Sequence, residues 1–309
     1  MTIPVIDLGG DHADVLRGID DAYARFGFAT IVGHGVPEGT IASLFAASAA
    51  FHALPIAQKL AIELDPNHRG YIPIAVSTDR TSSVETATAP NQSASFMLMR
   101  EDAPGSADVV AGTYLAGPNQ WPDLAGFRPA VEAYHEALIA VGRRVVDLLA
   151  ELLGDTEGHL RRSFDTPTTW LRLLHYPSQG DAHDGFGSAP HRDFGCITLL
   201  AQDDVGGLEV RTPDGDWIEV PPVRGSLVMN VGDMLHRWSN GRLLSTPHRV
   251  VQRRRERYSA AFFFDPHMST VVEPLPSCVV GDHPAAFAPI EFGSFVRDQL
   301  EATYDHHAG

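Results

Sequence analysis

The sequence predicts a mainly β chain braced by helices, its strands closing as a sandwich or barrel. Three observations carry this. From about Thr169 short apolar runs alternate with clusters of Gly, Pro, Asp and Asn, as antiparallel strands joined by turns require. Before that point apolar residues recur at helical spacing instead. No flexible linker separates the two parts, so residues 1–309 are expected to form one domain, with 1–160 mainly helical, 169–264 the strand core and 291–304 a closing helix.

The elements follow in order. Asp11 to Phe26 places Val15, Leu16, Ile19, Ala22, Tyr23 and Phe26 on one helical face, and Gly27 ends it. Phe28 to Val32 is a β-branched run broken by Gly33-His34-Gly35, and a second helix is expected from about Pro37 to Ala53. Residues 65–122, rich in Gly and Pro, read as an irregular binding loop or lid. A long helix fits Gly126 to Leu153, with Val131, Tyr134, Leu138, Val141, Val145 and Leu148 inward and Glu132, Glu136, Arg143 and Arg144 outward. Helices are then expected to stop until the last one, from about Phe292 to Tyr304. The strand runs are Thr169 to Tyr176, Cys196 to Ala201, Leu208 to Arg211, Trp217 to Val220, Ser226 to Val231, His248 to Val251 and Tyr258 to Phe264. Pro213-Asp214-Gly215-Asp216 reads as a hairpin turn. Phe262-Phe263-Phe264 is expected on a central strand buried on both faces.

Composition narrows the function. With 44% hydrophobic residues the chain can bury a sizeable core, and a net charge of −16 opposes binding to nucleic acid or to an anionic membrane. Cys196 and Cys278 are too few for a disulfide framework or a four-thiolate zinc site and read as buried thiols in a reducing compartment. No secretion signal and no run of about 18 apolar residues is visible, so a cytoplasmic location is expected.

The chemistry is expected around His191-Arg192-Asp193, at the entrance to the Cys196 to Ala201 strand. In extended chain the first and third residues share a face about 7 Å apart, so an imidazole and a carboxylate can converge on one ion. His12-Ala13-Asp14 has the same spacing on a surface helix, so the triplet alone decides nothing. His248, ahead of another β-branched run, is the third candidate. Two imidazoles and one carboxylate would occupy one face of an octahedron and leave the other open, which favours iron(II) binding a chelating cosubstrate and oxygen together. Arg257-Tyr258-Ser259 opens the next strand and places a guanidinium and a hydroxyl on one face, suited to the distal carboxylate of a dicarboxylic acid. The bland alternative for Arg257 is a surface ion pair with Glu256. Arg253-Arg254-Arg255 reads as a solvated turn, and His34, His175, His183 and His236 as core or loop residues.

Taken together, the order His191-x-Asp193, His248, Arg257-x-Ser259 resembles the isopenicillin N synthase-like branch of the 2-oxoglutarate- and iron(II)-dependent oxygenases. Ile3-Pro4-Val5-Ile6-Asp7-Leu8 and Gly27 to Val36 are similar to the family's N-terminal signature, while Gln202 to Leu208 and Leu243 to His248 are similar to bacterial members. The resemblance covers residues 3–36 and 169–264. It implies a double-stranded β-helix, or jelly roll, with the metal at its open end, and it implies that Tyr176 helps hold the cosubstrate's distal carboxylate. Plant relatives often carry Asn where this chain has Leu174, so that contact is missing here.

The expected activity is oxidation of a small-molecule C–H bond by Fe(II), 2-oxoglutarate and O2, with release of succinate and carbon dioxide. Hydroxylation is the default outcome, with desaturation or cyclisation if the substrate radical is held away from the hydroxyl. Phe194, which follows the Asp ligand, and Arg172, on the strand leading to Tyr176, are the candidate substrate contacts. The alternatives are an oxidase of the same fold that uses no 2-oxoglutarate, a zinc hydrolase, and a noncatalytic binding module. The substrate's identity and the oligomeric state do not follow from the sequence.

Overall fold

A computed structural model describes residues 2–76, 84, 90–178 and 185–303. In chain order its first elements are β1 (Val5–Asp7), α1 (His12–Arg25), β2 (Phe28–Val32), α2 (Glu38–His52), α3 (Ile56–Leu60), β3 (Gly70–Ile72), β4 (Ala94–Met99), α4 (Ala107–Ala111), α5 (Phe127–Leu152) and α6 (His159–Ser163). Next come β5 (Thr168–Tyr176), β6 (Phe186–His191), β7 (Ile197–Gln202), β8 (Leu208–Arg211), β9 (Trp217–Glu219), β10 (Leu227–Val231) and α7 (Asp233–Trp238). The last are β11 (His248–Val251), β12 (Arg257–Asp265), β13 (Val271–Val272), β14 (Ile290–Glu291) and α8 (Phe292–Thr303).

One eight-stranded sheet runs β1-β2-β10-β7-β12-β5-β4-β3, and a four-stranded sheet runs β6-β11-β8-β9. The chain crosses between them from β5 to β6, back to β7, on to β8, and again at β10, β11 and β12. That crossing pattern, with antiparallel pairing between the strands that carry it, is a jelly roll. Residues 1–160 are not only helical, because β1 to β4 all join the large sheet.

Period-two alternation sorts the strands' residues between two cores. On β12 Ala260, Phe262 and Phe264 face the helical layer, while Ala261 and Phe263 face the small sheet. On β5 Leu171 and Leu173 face the helices, and Leu174 and Tyr176 face inward. The larger core lies between the large sheet and α1, α2 and α5; the smaller one fills the jelly roll. All six residues expected on the inner face of the long helix are buried. Gly142 of α5 sits directly on the Phe264 ring, where a Cβ would stand 2.6 Å from Cγ.

Three expectations change. The stretch 65–122 contains β3, β4 and α4, and β4 pairs with β5 along its whole length. Its sequence, Ala94 to Met99, is buried throughout and so lacks the alternation that marks a half-exposed strand. Helices do not stop at Thr169, since α7 follows β10. Finally, His191 closes a separate strand, β6, and does not open the strand that begins near Cys196. Among the described residues no helix is long and apolar enough to cross a membrane.

Gly142→Ala is expected to lower the urea midpoint, because overpacking a filled core costs about 1–3 kcal/mol and exceeds the gain in helix propensity of about 1 kcal/mol. A midpoint that stays or rises would show that the Phe264 ring yields at no cost.

Candidate active site

Strand pairing assembles the site. β11 lies antiparallel to β6 with His248 directly opposite His191, and the two rings meet with centroids 4.2 Å apart. Asp193 follows in the turn that leaves β6. Its Oδ1 is 3.8 Å from His191 Nε2 and 3.7 Å from His248 Nε2, and one donor atom from each residue falls within 4.8 Å of the others. β6 escapes sequence reading because Gly187 and Pro190 interrupt it. Gly187 is required where the strand crosses Tyr176, since a Cβ there would lie 2.6 Å from the ring.

Each donor is aimed by its other polar atom. His191 Nδ1 is 2.8 Å from the Ala189 carbonyl and His248 Nδ1 is 3.2 Å from the Thr246 carbonyl. A carbonyl can only accept, so both rings carry the proton on Nδ1 and the lone pair on Nε2. Asp193 Oδ2 accepts from Thr198 Oγ1 at 2.5 Å and from Asn230 Nδ2 at 2.7 Å, which leaves Oδ1 facing the same point as the two Nε2 atoms. Burial alone would push the Asp193 carboxyl up, but His248, His191 and these two hydrogen bonds together hold it below its ordinary value. Two imidazole nitrogens and one carboxylate oxygen suit a divalent iron with open positions, and no further His, Cys, Asp or Glu joins them among the described residues.

The turn that carries Asp193 is clamped from two sides. At the start of α7, Gly232 N–H donates to Cys196 O, Asp233 N–H to Asp193 O and Met234 N–H to Gly195 O, all at 2.8–2.9 Å. A Cβ at Gly232 would stand 2.2 Å from Gly195 O, so this approach admits only glycine. Opposite, buried Asp265 accepts the Cys196 N–H at 2.6 Å. Burial, helped by the Asp193 charge, raises the Asp265 carboxyl to about 7 despite that hydrogen bond.

The other end of the cavity is built on β12 and β5, where Arg257 faces Tyr176 and Ser259 faces Leu174. Arg257 is 1% exposed. Its Nη1 donates to Ser259 Oγ at 3.2 Å and its Nη2 to Gln202 Oε1 at 3.3 Å, and its Cζ lies 4.7 Å from the centre of the Tyr176 ring. Among the described residues Nε has no partner and no carboxylate pairs with this cation. Glu256, the surface partner considered for it, bonds His175 instead. A buried guanidinium without counter-charge is costly until an anion reaches it, and its fork beside a hydroxyl suits a carboxylate. Between the two ends lies a cavity walled by Arg172, Leu174, Leu200, Val250 and Phe263 among others. A larger surface cleft beside α6, lined by His159, Arg162 and His267, contains none of these residues.

Arg172 thus reaches the cavity, with its Nε donating to Ser95 Oγ at 2.9 Å. Phe194 does not line it. Its ring packs edge-on against Trp170, 6.5 Å between centroids, so its proposed substrate contact is withdrawn. Arg253 and Arg255 pair with Glu219 and Asp204 at the surface, as a solvated turn should. His34 and His236 bond backbone carbonyls, and His183 lies outside the described residues. Thr198, Asn230 and Gln202 were missed. A polar residue interrupting an apolar central run, as Asn230 does in Leu227–Val231, is the signal that would have found one of them.

Asn230→Leu and Thr198→Val should each weaken metal binding about 10–100-fold in an anaerobic iron titration, because the carboxylate loses the bond that orients it. Affinity unchanged in both would show that Asp193 needs neither. Asp265 sets a pH dependence in the metal-free protein. Its folded value of about 7 exceeds its ordinary 3.8, so the folded chain holds a proton the unfolded chain releases, and stability falls as pH rises from about 4 to about 7. Asp265→Asn should flatten that fall in urea midpoints measured across the range. An identical profile would assign it to another group.

Comparison with known proteins gives a consistent result. Residues 167–266 match the family model of the 2OG-Fe(II) oxygenase superfamily, and residues 3–124 match that of the non-haem dioxygenase in morphine synthesis N-terminal region. The chain is 33% identical over 307 residues to the 2-oxoglutarate-Fe(II) type oxidoreductase hxnY of Emericella nidulans, covering 96% of this chain and 86% of that one. A full-length Neurospora crassa protein solved in complex with alpha-KG superposes with a TM-score of 0.84 at 29% identity, over 97% of this chain and 96% of that one. The same Neurospora crassa protein in complex with alpha-KG and thymine gives 0.84 at 28% identity, with 97% and 96% covered. The hydrolase and binding-module alternatives find no counterpart in these relatives. The chain belongs to the 2OG-Fe(II) oxygenase superfamily and is a 2-oxoglutarate-dependent, iron(II) dioxygenase.

Proposed function

We propose that His191, Asp193 and His248 hold the iron, and that Arg257 and Ser259, with Tyr176 beneath the guanidinium, hold the distal carboxylate of 2-oxoglutarate. The substrate is a small molecule that enters beside Arg172 and is hydroxylated at a C–H bond, with desaturation or cyclisation as variants of the same attack. The observation that supports this most is one cavity with a three-donor cluster at one end and, at the other, a buried guanidinium that no carboxylate among the described residues pairs with. The Neurospora crassa relative has been solved with thymine and with 5-formyluracil, which supports a small substrate in this cavity.

When bound, iron with 2-oxoglutarate and O2 supplies the oxidising power, and the cosubstrate leaves as succinate and carbon dioxide. The chain's part is orientation. Thr198 and Asn230 hold Asp193 with Oδ1 forward, and the Ala189 and Thr246 carbonyls hold the two imidazoles with Nε2 forward. Arg257 and Ser259 anchor the far end of the cosubstrate, so that its keto acid end is presented to the metal in a single register. Leu174, Leu208, Val250, Ala261 and Phe263 line the wall between them and exclude water from it.

His191→Ala should abolish succinate formation while the circular-dichroism melt stays cooperative. Continued turnover would remove this residue from the site. Arg257→Ala should raise the 2-oxoglutarate concentration for half-maximal turnover at least about tenfold, since truncating one partner of a buried charge pair costs roughly 2–5 kcal/mol. An unchanged requirement would send the distal carboxylate elsewhere.

A further inference from the structure

We propose that the substrate of this enzyme carries a carboxylate, and that Arg172 binds it. The proposal rests on the cosubstrate placement given above and adds the chemical class of the second ligand.

Arg172 is on β5, two residues before Leu174 and four before Tyr176, so all three face the same cavity. Across the large sheet it stands opposite Ala261 on β12, which stands opposite Leu200 on β7. That rung lies between two others. On one side is Leu174–Ser259–Gln202, at the anchor for the cosubstrate's distal end. On the other is Phe263–Thr198, where Thr198 holds Asp193. Arg172 is therefore level with the space between metal and anchor but displaced sideways, toward β4, where it pairs with Met97. It flanks the line the cosubstrate occupies, and neither end of the cosubstrate needs it.

Its orientation is set. Nε donates to Ser95 Oγ at 2.9 Å, and Ser95 is wholly buried on β4. Among the described residues Nη1 and Nη2 have no protein partner and no carboxylate pairs with the side chain. The guanidinium is thus held by its edge with its two-pronged end unmatched, the arrangement that grips a carboxylate with paired hydrogen bonds.

Charge leads to the same ligand. Among the described residues Asp193 is the one carboxylate lining the cavity, against Arg172, Arg257 and two imidazoles that are neutral as ligands. A divalent metal, the Asp193 carboxylate, a dianionic cosubstrate and the Arg257 cation sum to zero. Arg172 adds a single positive charge that no carboxylate among the described residues neutralises. In a half-buried cavity a monoanionic substrate removes that imbalance, and a neutral one leaves it.

The test uses the full chain, loaded without oxygen with Fe(II) and saturating 2-oxoglutarate so that the Arg257 end is occupied. The visible charge-transfer band of the loaded complex is recorded first. If no band forms, the cosubstrate placement itself fails and this proposal falls with it. With the band present, para-fluorophenylacetate and the matched para-fluorophenylacetamide are titrated and followed by fluorine NMR line broadening. The acid should bind at least about tenfold more tightly than the amide, the scale of one charge-assisted pair. Arg172→Met should erase the preference and Arg172→Lys should retain part of it. Equal binding of acid and amide to the unaltered enzyme, or binding of neither, would overturn the proposal whether or not a variant folds. A preference that persists in Arg172→Met would place the carboxylate on the metal and overturn it equally.

Discussion

An ionised carboxylate enclosed in protein survives only if both of its oxygens are matched, and the architecture around Asp193 is arranged to do that. Oδ2 is bound by Thr198 and Asn230, which are themselves directly paired across β7 and β10, and Oδ1 converges with the Nε2 atoms of two imidazoles, paired across β6 and β11, on one point where a cation would match it. Two strand pairings, one in each sheet, therefore meet at a single side chain. The turn that presents it has little freedom, because α7 binds its carbonyls and Asp265 binds its Cys196 N–H. Rigidity at this point would keep the three donors proposed for the iron converged on one ion.

The two cores divide the work of supporting that geometry. The large one, between the sheet and the helices, is apolar and closely filled, down to a glycine cut into α5 to seat Phe264. It holds β5, β7 and β12 stiff from behind. The small one inside the jelly roll is interrupted by polar side chains that no core of that size would accept for stability alone: Arg257, Ser259, Thr198, Asn230 and Asp193. Alternation along the strand makes this separation possible. Successive residues of one strand supply the scaffold and the site without competing for the same space.

Much of the site was legible because its residues belong to local patterns whose chemistry is distinctive. His191-x-Asp193 and Arg257-x-Ser259 each place two complementary groups a fixed two residues apart, and His248 stands at the head of a β-branched run. Other parts were hidden for physical reasons. β4 is buried on both sides and shows no alternation, and β6 is broken by a glycine that Tyr176 requires and by a proline. Thr198 shows no local mark, and the one that Asn230 shows, a polar residue in an apolar run, names no partner until the strand across the sheet is known. Phe194 seemed placed for substrate by adjacency to Asp193, yet the turn directs successive side chains apart and sends its ring to Trp170.

From its residues alone this chain was legible as helices bracing a β core, with a His, Asp, His donor set and an Arg and Ser pair sharing one face of a strand, because residue type and short-range spacing encode those features. The register that sets His248 against His191, the partners on Asp193 Oδ2, and the sideways position of Arg172 were decided only on folding. Each depends on which strands become neighbours. Neighbourhood between strands dozens of residues apart is fixed by the packing of the whole sheet, and no local stretch of sequence contains it.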